Sequence, residues 1–181
     1  MTLRGSAMSF DRGYVQVYTG DGKGKTTASL GLGLRAAGDG CRVIMIQFMK
    51  GRRYSEIDSV GFLPGFEIEQ HGRDEFVSKE DPEVVDRELA SKGFERAKEI
   101  VLKGEHDLVI LDEVNVAMDY ELVSVDDMIE LIEKKPIRME LVLTGRYAPE
   151  RIIDIADLVT EMREVKHFYQ RGVAARKGIE F

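Results

Sequence analysis

The chain has 181 residues, 43% of them hydrophobic and 33% charged, which suffices for one domain with a sizeable core and is too short for two. Its net charge of -7 excludes the basic footprint of a general nucleic-acid or membrane-surface binder, and no apolar run approaches the roughly 20 residues of a membrane span. A single cysteine, Cys41, excludes an internal disulfide, and no Cys/His cluster has zinc spacing, so a cytoplasmic protein is expected.

Residues 1–12 carry neither a hydrophobic signal core nor periodicity and read as a disordered or helical tail before a domain spanning 13–181. Tyr14 to Tyr18 is a short apolar strand that runs into Gly20-Asp21-Gly22-Lys23-Gly24-Lys25-Thr26-Thr27, and Thr26 to Ala37 continues as a helix closed by Gly38 and Gly40. Strand, glycine-rich turn and helix together make a phosphate cradle. Backbone N–H groups freed by the glycines can wrap a polyphosphate, Lys25 can reach its outer oxygens, and the Thr26 hydroxyl can hold Mg²⁺. The loop is a variant, because Thr19 stands where the usual pattern has glycine. A dinucleotide fingerprint is absent, since Lys25 occupies the place of its last glycine.

Arg42 to Phe48 is a second buried strand with Cys41 at its start, followed by a polar turn from Met49 to Tyr54 and a weaker strand from Phe66 to Gln70. Asp81 to Lys103 has a helical pattern, with Pro82 in the first turn and Val85, Leu89, Phe94, Ala97, Ile100 and Val101 on one face. Leu108 to Leu111 is a strand ending in Asp112-Glu113. Val125 to Ile132 is a helix stopped before Pro136, and the strand Met139 to Leu143 delivers Thr144-Gly145-Arg146. A helix from Pro149 to Ile155 and a strand from Leu158 to Met162 follow. Short strands alternating with helices predict an α/β, single-domain P-loop (RecA-like) fold: a mostly parallel central sheet with helices on both faces. In such a sheet ligands bind beyond the carboxyl ends of the strands, where Thr19, Asp112 and Thr144 all fall.

The paired acids Asp112 and Glu113 suit that edge, because Mg²⁺ needs hard oxygen ligands beside Thr26. Arg146 can give phosphate a bidentate, charge-assisted contact, or be an ordinary turn arginine. Lys23 is a further cation, or a solvated loop lysine. His71, His106 and His167 fall in separate elements with no nucleophile or metal ligand beside them and read as structural or exposed. The tail carries Arg163, Lys166, Arg171, Arg176 and Lys177, which suit either an anionic ligand or solvent.

The combination of TGDGKGKTTA (Thr19 to Ala28), QFMKG (Gln47 to Gly51), VILDE (Val109 to Glu113), LTGR (Leu143 to Arg146) and the closing block from Asp157 to Phe181 resembles the cob(I)alamin adenosyltransferases of the CobA/BtuR type, from about Arg12 to the last residue. The resemblance implies transfer of the 5′-deoxyadenosyl group of ATP to the cobalt of a reduced corrinoid, with release of triphosphate. It implies ATP binding by Gly20, Asp21, Gly22, Lys23, Gly24, Lys25, Thr26 and Thr27, with Arg35 and Arg146. Thr26 and Glu113 would hold Mg²⁺ (or Mn²⁺), and Lys25, Thr26, Glu113 and Arg146 would be the catalytic set. A flavoprotein reductant and a homodimer are implied as partners, with no nucleic acid and no membrane. Family members often carry a Phe and a Trp in a G-F-T-W stretch against the corrin. This chain has no Trp, and Phe76, within Gly72 to Val77, is the corrinoid-facing candidate, or else a core phenylalanine. Two rival readings of the loop are an ATPase or kinase moving the γ-phosphoryl group, with Glu113 as base, and a non-catalytic nucleotide-gated corrinoid carrier.

Overall fold

A computed structural model describes residues 10–181. The expected tail at 1–12 lies almost wholly outside the described residues, and Phe10 packs against one face of the core.

Six strands form one sheet: β1 (Val15–Thr19), β2 (Val43–Phe48), β3 (Phe66–His71), β4 (Leu108–Asp112), β5 (Glu140–Thr144) and β6 (Leu158–Glu161). Their spatial order is β3-β2-β4-β5-β1-β6, and every neighbouring pair is parallel. Every residue of β2 and β4 is buried, because a central parallel strand is covered on both faces. Alternate side chains divide accordingly. Val43, Met45, Leu108, Ile110 and Val142 face one cluster with Cys41, Phe66 and Ala36 of α1 (Lys25–Gly38). Ile44, Ile46, Val109, Leu111, Leu141 and Leu143 face the other, with side chains from α3 (Val84–Lys103), α4 (Val114–Asp119) and α5 (Val125–Lys134). Helices α2 (Ser55–Val60) and α6 (Glu150–Ile155) and a 3₁₀ turn at Phe168–Arg171 complete the described elements. No helix among the described residues is long and apolar enough to cross a membrane.

The elements depart from the sequence expectation in α2 and α4, which were not anticipated, and in the start of α3. Pro82 precedes that helix. Glu83 is its N-cap, and Asp86 closes a reciprocal capping box. Val85 is exposed, while Asp86, Ala90 and Gly93 take the buried face. Asp86 can be buried because Arg73 pairs with it through two nitrogens, at 2.7 and 3.0 Å. Gly93 is required by crowding, since a Cβ there would lie 2.8 Å from the Cβ of His71.

Strand register sets the chemistry of one sheet edge. Gln47 pairs with Asp112 across β2 and β4, and Tyr18 with Thr144 across β1 and β5, so Gln47, Asp112, Thr144 and Thr19 end side by side.

Candidate functional site

A cleft of about 930 Å³ opens over this edge, large for a small-molecule site. Its floor is the turn from β1 into α1. Gly20 (φ 93°) and Gly24 (φ 119°) adopt the left-handed region, and a Cβ on Gly20 would lie 2.5 Å from the Met162 carbonyl oxygen, so glycine is needed on both grounds. Thr19 departs from the usual pattern without penalty because it is the last residue of β1. Its hydroxyl accepts from Ala148 N at 3.3 Å and ties down the loop after β5.

No side chain caps the N-terminus of α1, and its first turn holds no acid, which leaves its N–H groups to an anion. Lys25 is buried and folds back on the loop, donating to the carbonyls of Gly20 (2.7 Å) and Gly22 (2.8 Å). Burial lowers its pKa, against Glu113, which supports the charge.

Asp112 is the hub of the edge. It is wholly buried, and its two oxygens accept from Thr144 Oγ1 (2.7 Å), Thr26 Oγ1 (2.9 Å), Lys50 Nζ (2.7 Å) and Gln47 Nε2 (3.2 Å). Burial opposes its ionisation, but the Lys50 charge and the hydroxyl donors prevail and hold its pKa below the usual value. Glu113 lies in the left-handed region (φ 61°) as the N-cap of α4, with its N–H donating to Thr144 Oγ1 at 3.1 Å. Its pKa is raised by burial and then by Asp112, against the attraction of Lys50, Lys25 and Arg146. A carboxyl with that penalty gains from an added cation. With the Thr26 hydroxyl it offers hard oxygens beside the phosphate loop, a donor set that fits Mg²⁺ or Mn²⁺.

The cleft walls include most of the expected site residues: Asp21 to Thr27, Glu113 and Arg146. Arg146 is exposed and donates to the Asp21 carbonyl at 3.2 Å. Gly20 shapes the loop from beneath. Arg35 sits exposed in the last turn of α1, about 15 Å along the helix from Lys25, and is not among the residues that line the cleft.

Phe76 also lines the cleft and is 102% exposed, so the core alternative is overturned. Its loop is anchored at both ends, by Arg73 on Asp86 and Glu83 and by Lys79 on Asp119 at 2.7 Å. The basic tail residues do not line the cleft either. Instead the chain end crosses it, with Lys23 Nζ donating to the Ile179 carbonyl (3.2 Å), Ser55 Oγ to the Phe181 carbonyl (3.2 Å), and Arg52 over the Phe181 ring (4.4 Å). Of the histidines, His167 lines the cleft and its Nδ1 accepts from Tyr169 N, whereas His71 and His106 lie elsewhere. Lys50 and Gln47 were not singled out from the sequence as site residues; both sit within the QFMKG stretch at the end of a buried strand, and a polar residue there was the available signal.

The ATP:corrinoid adenosyltransferase BtuR/CobO/CobP family model matches residues 11–181. A corrinoid adenosyltransferase of Sinorhizobium sp. is 34% identical over 94% of this chain and 81% of its own length. Corrinoid adenosyltransferases of Escherichia coli (31%) and Salmonella typhimurium (32%) are similar over 94% of this chain and 87% of theirs. An uncharacterized protein of Nostoc sp. is 39% identical over 86% of this chain, which spans 45% of that protein's length.

Proposed function

The chain belongs to the ATP:corrinoid adenosyltransferase family, and from that premise we propose that it moves the 5′-deoxyadenosyl group of ATP onto the cobalt of a reduced corrinoid. The observation that carries the reading is one cleft joining two chemistries: an uncapped phosphate loop with Lys25 and Thr26 on its floor, and an exposed aromatic ring, Phe76, on its wall.

In this reaction the cobalt electron pair forms the bond to C5′, and the C5′–O bond breaks with its pair passing to the triphosphate. The nucleophile belongs to the substrate. The protein therefore has to position two large molecules and stabilise a leaving group whose negative charge grows. The N–H groups of the Gly20 to Thr27 loop and of the α1 N-terminus face the triphosphate. Lys25 leaves the Gly20 and Gly22 carbonyls for phosphate oxygens, and Arg146 swings from the Asp21 carbonyl onto the same group. Thr26 and Glu113 would hold a divalent metal, Mg²⁺ or Mn²⁺, which when bound would supply further positive charge to the triphosphate. A homodimer, a flavoprotein electron donor, a cytoplasmic location and a single catalytic domain at 13–181 complete the reading; the first two rest on the resemblance and the last two on composition and length, and none on the cleft.

Product analysis tests the reaction type. Phosphorus NMR should show tripolyphosphate and no ADP, whereas an ATPase or kinase yields ADP.

Phe76→Ala tests the corrinoid side. Because the ring is exposed, its loss should change stability by less than about 0.5 kcal/mol. Covering a phenyl ring against the corrin is worth about 1.5–3 kcal/mol, so corrinoid affinity should fall ~10–100-fold with ATP affinity unchanged. If the ring also displaces the lower cobalt ligand, transfer starting from cob(II)alamin under a mild reductant should slow more than transfer from pre-reduced cob(I)alamin. Equal corrinoid affinity in the variant would remove Phe76 from the site.

A further inference from the structure

Lys50 follows the carboxyl end of β2, and its side chain lies along the cleft floor, 15% exposed. Its ammonium donates to Asp112 Oδ2 at 2.7 Å and to Thr26 Oγ1 at 3.3 Å. Asp112 is thereby saturated. A carboxylate has about four acceptor sites, and Thr26, Thr144, Gln47 and Lys50 already supply four donors. A metal bound directly to Asp112 would have to evict the lysine and leave a second cation beside it. The ammonium, by contrast, has three donors, of which two are engaged by oxygens, with the Tyr54 ring 5.4 Å away, which leaves a donor for an anion in the cleft that both residues line.

The lysine is also held in place by its backbone. A Cβ on Gly51 would lie 2.5 Å from the Gly72 carbonyl oxygen, and one on Gly72 would lie 2.2 Å from the Lys50 nitrogen, so the two loops pack main chain against main chain. A cation fixed before the substrate arrives needs little reorganisation when charge develops beside it.

We propose that Lys50 is a second triphosphate-contacting cation of this cleft, paired across Thr26 with Lys25, and that Asp112 positions this lysine instead of coordinating the metal. The proposal rests on the cleft being a triphosphate site. It assigns the metal to Thr26 and Glu113 alone among these side chains, and it places positive charge on the leaving group even before a metal binds.

The test is equilibrium binding of inorganic tripolyphosphate in EDTA, with adenosine as the uncharged control, to wild-type protein, Lys50→Met and Lys50→Arg. A double variant, Lys50→Met with Asp112→Asn, leaves no unpaired buried carboxylate and keeps the test readable if the single variant unfolds. Lys50→Met and the double variant should bind tripolyphosphate about tenfold more weakly or worse, with adenosine binding unchanged and Lys50→Arg retaining most of the affinity. Mn²⁺ binding to the ATP complex, read by EPR, should shift less than about twofold in Asp112→Asn. Unchanged tripolyphosphate affinity in a folded double variant would overturn the lysine's role alone. A loss of Mn²⁺ affinity in Asp112→Asn equal to that in Glu113→Gln would return Asp112 to the metal. Wild-type protein that binds no tripolyphosphate would overturn both this inference and the reading of the cleft.

Discussion

Lys25→Ala should lower kcat/KM for adenosyl transfer by about 100-fold or more while the protein stays folded. Removing one preorganised donor from a developing anion typically costs 10²–10³ in rate, and Lys25 is the buried cation within the phosphate loop. The fold should not depend on it. Its ammonium is occupied only by two loop carbonyls, Gly20 and Gly22, and burial already works against its charge. Thr26→Ala should act in the same direction by removing the hydroxyl that bonds both Asp112 and Lys50 and that is the proposed metal ligand. Circular dichroism and thermal unfolding must accompany the kinetics, since only a folded, inactive variant supports the assignment. Near-normal kcat/KM at low ATP concentration in a folded Lys25→Ala protein would remove the loop from the chemistry.

Glu113→Gln should raise the divalent-metal requirement about 10–100-fold and slow transfer, with activity partly restored at high Mg²⁺. The carboxylate stands beside Asp112 and close enough to Lys25, Lys50 and Arg146 for each to act on its charge. Neutralising it removes a like-charge repulsion from Asp112, so the variant should be no less stable than the wild type. A metal titration distinguishes the roles: a general base would lose rate with no shift in the Mg²⁺ midpoint, and that outcome would revive the ATPase reading.

Much of this arrangement was legible in the residues because buried parallel strands are continuous apolar runs. Arg42 to Phe48 and Leu108 to Leu111 announced β2 and β4 within a residue at each end. Helices α2 and α4 have six residues each, too few for a 3.6-residue period to show. The Lys50–Asp112 pair was hidden for another reason: the partners are 62 residues apart and meet only because β2 lies beside β4 in the sheet. Arg35 stands apart from the loop for a reason the sequence does contain, since the rise of a helix carries a residue ten positions on about 15 Å away. Phe76 shows the limit of pattern in the opposite sense. A lone phenylalanine in a polar stretch reads equally as core or as contact surface, and its exposure decided between them. The site is a sheet edge whose glycines and strand-end residues lie in recognisable order, overlaid by loops and a chain end whose contacts arise only on folding.

The central claim is that the adenosyl carbon, and not a phosphoryl group, is what moves. Anaerobic incubation of the protein with pre-reduced cob(I)alamin, Mg²⁺ and ATP labelled in the adenosyl carbon tests it directly. The account predicts that the label appears in the corrinoid and is released again by light, as a carbon–cobalt bond requires, with one tripolyphosphate formed per labelled corrinoid. Corrinoid that stays unlabelled while ADP and phosphate accumulate would contradict it.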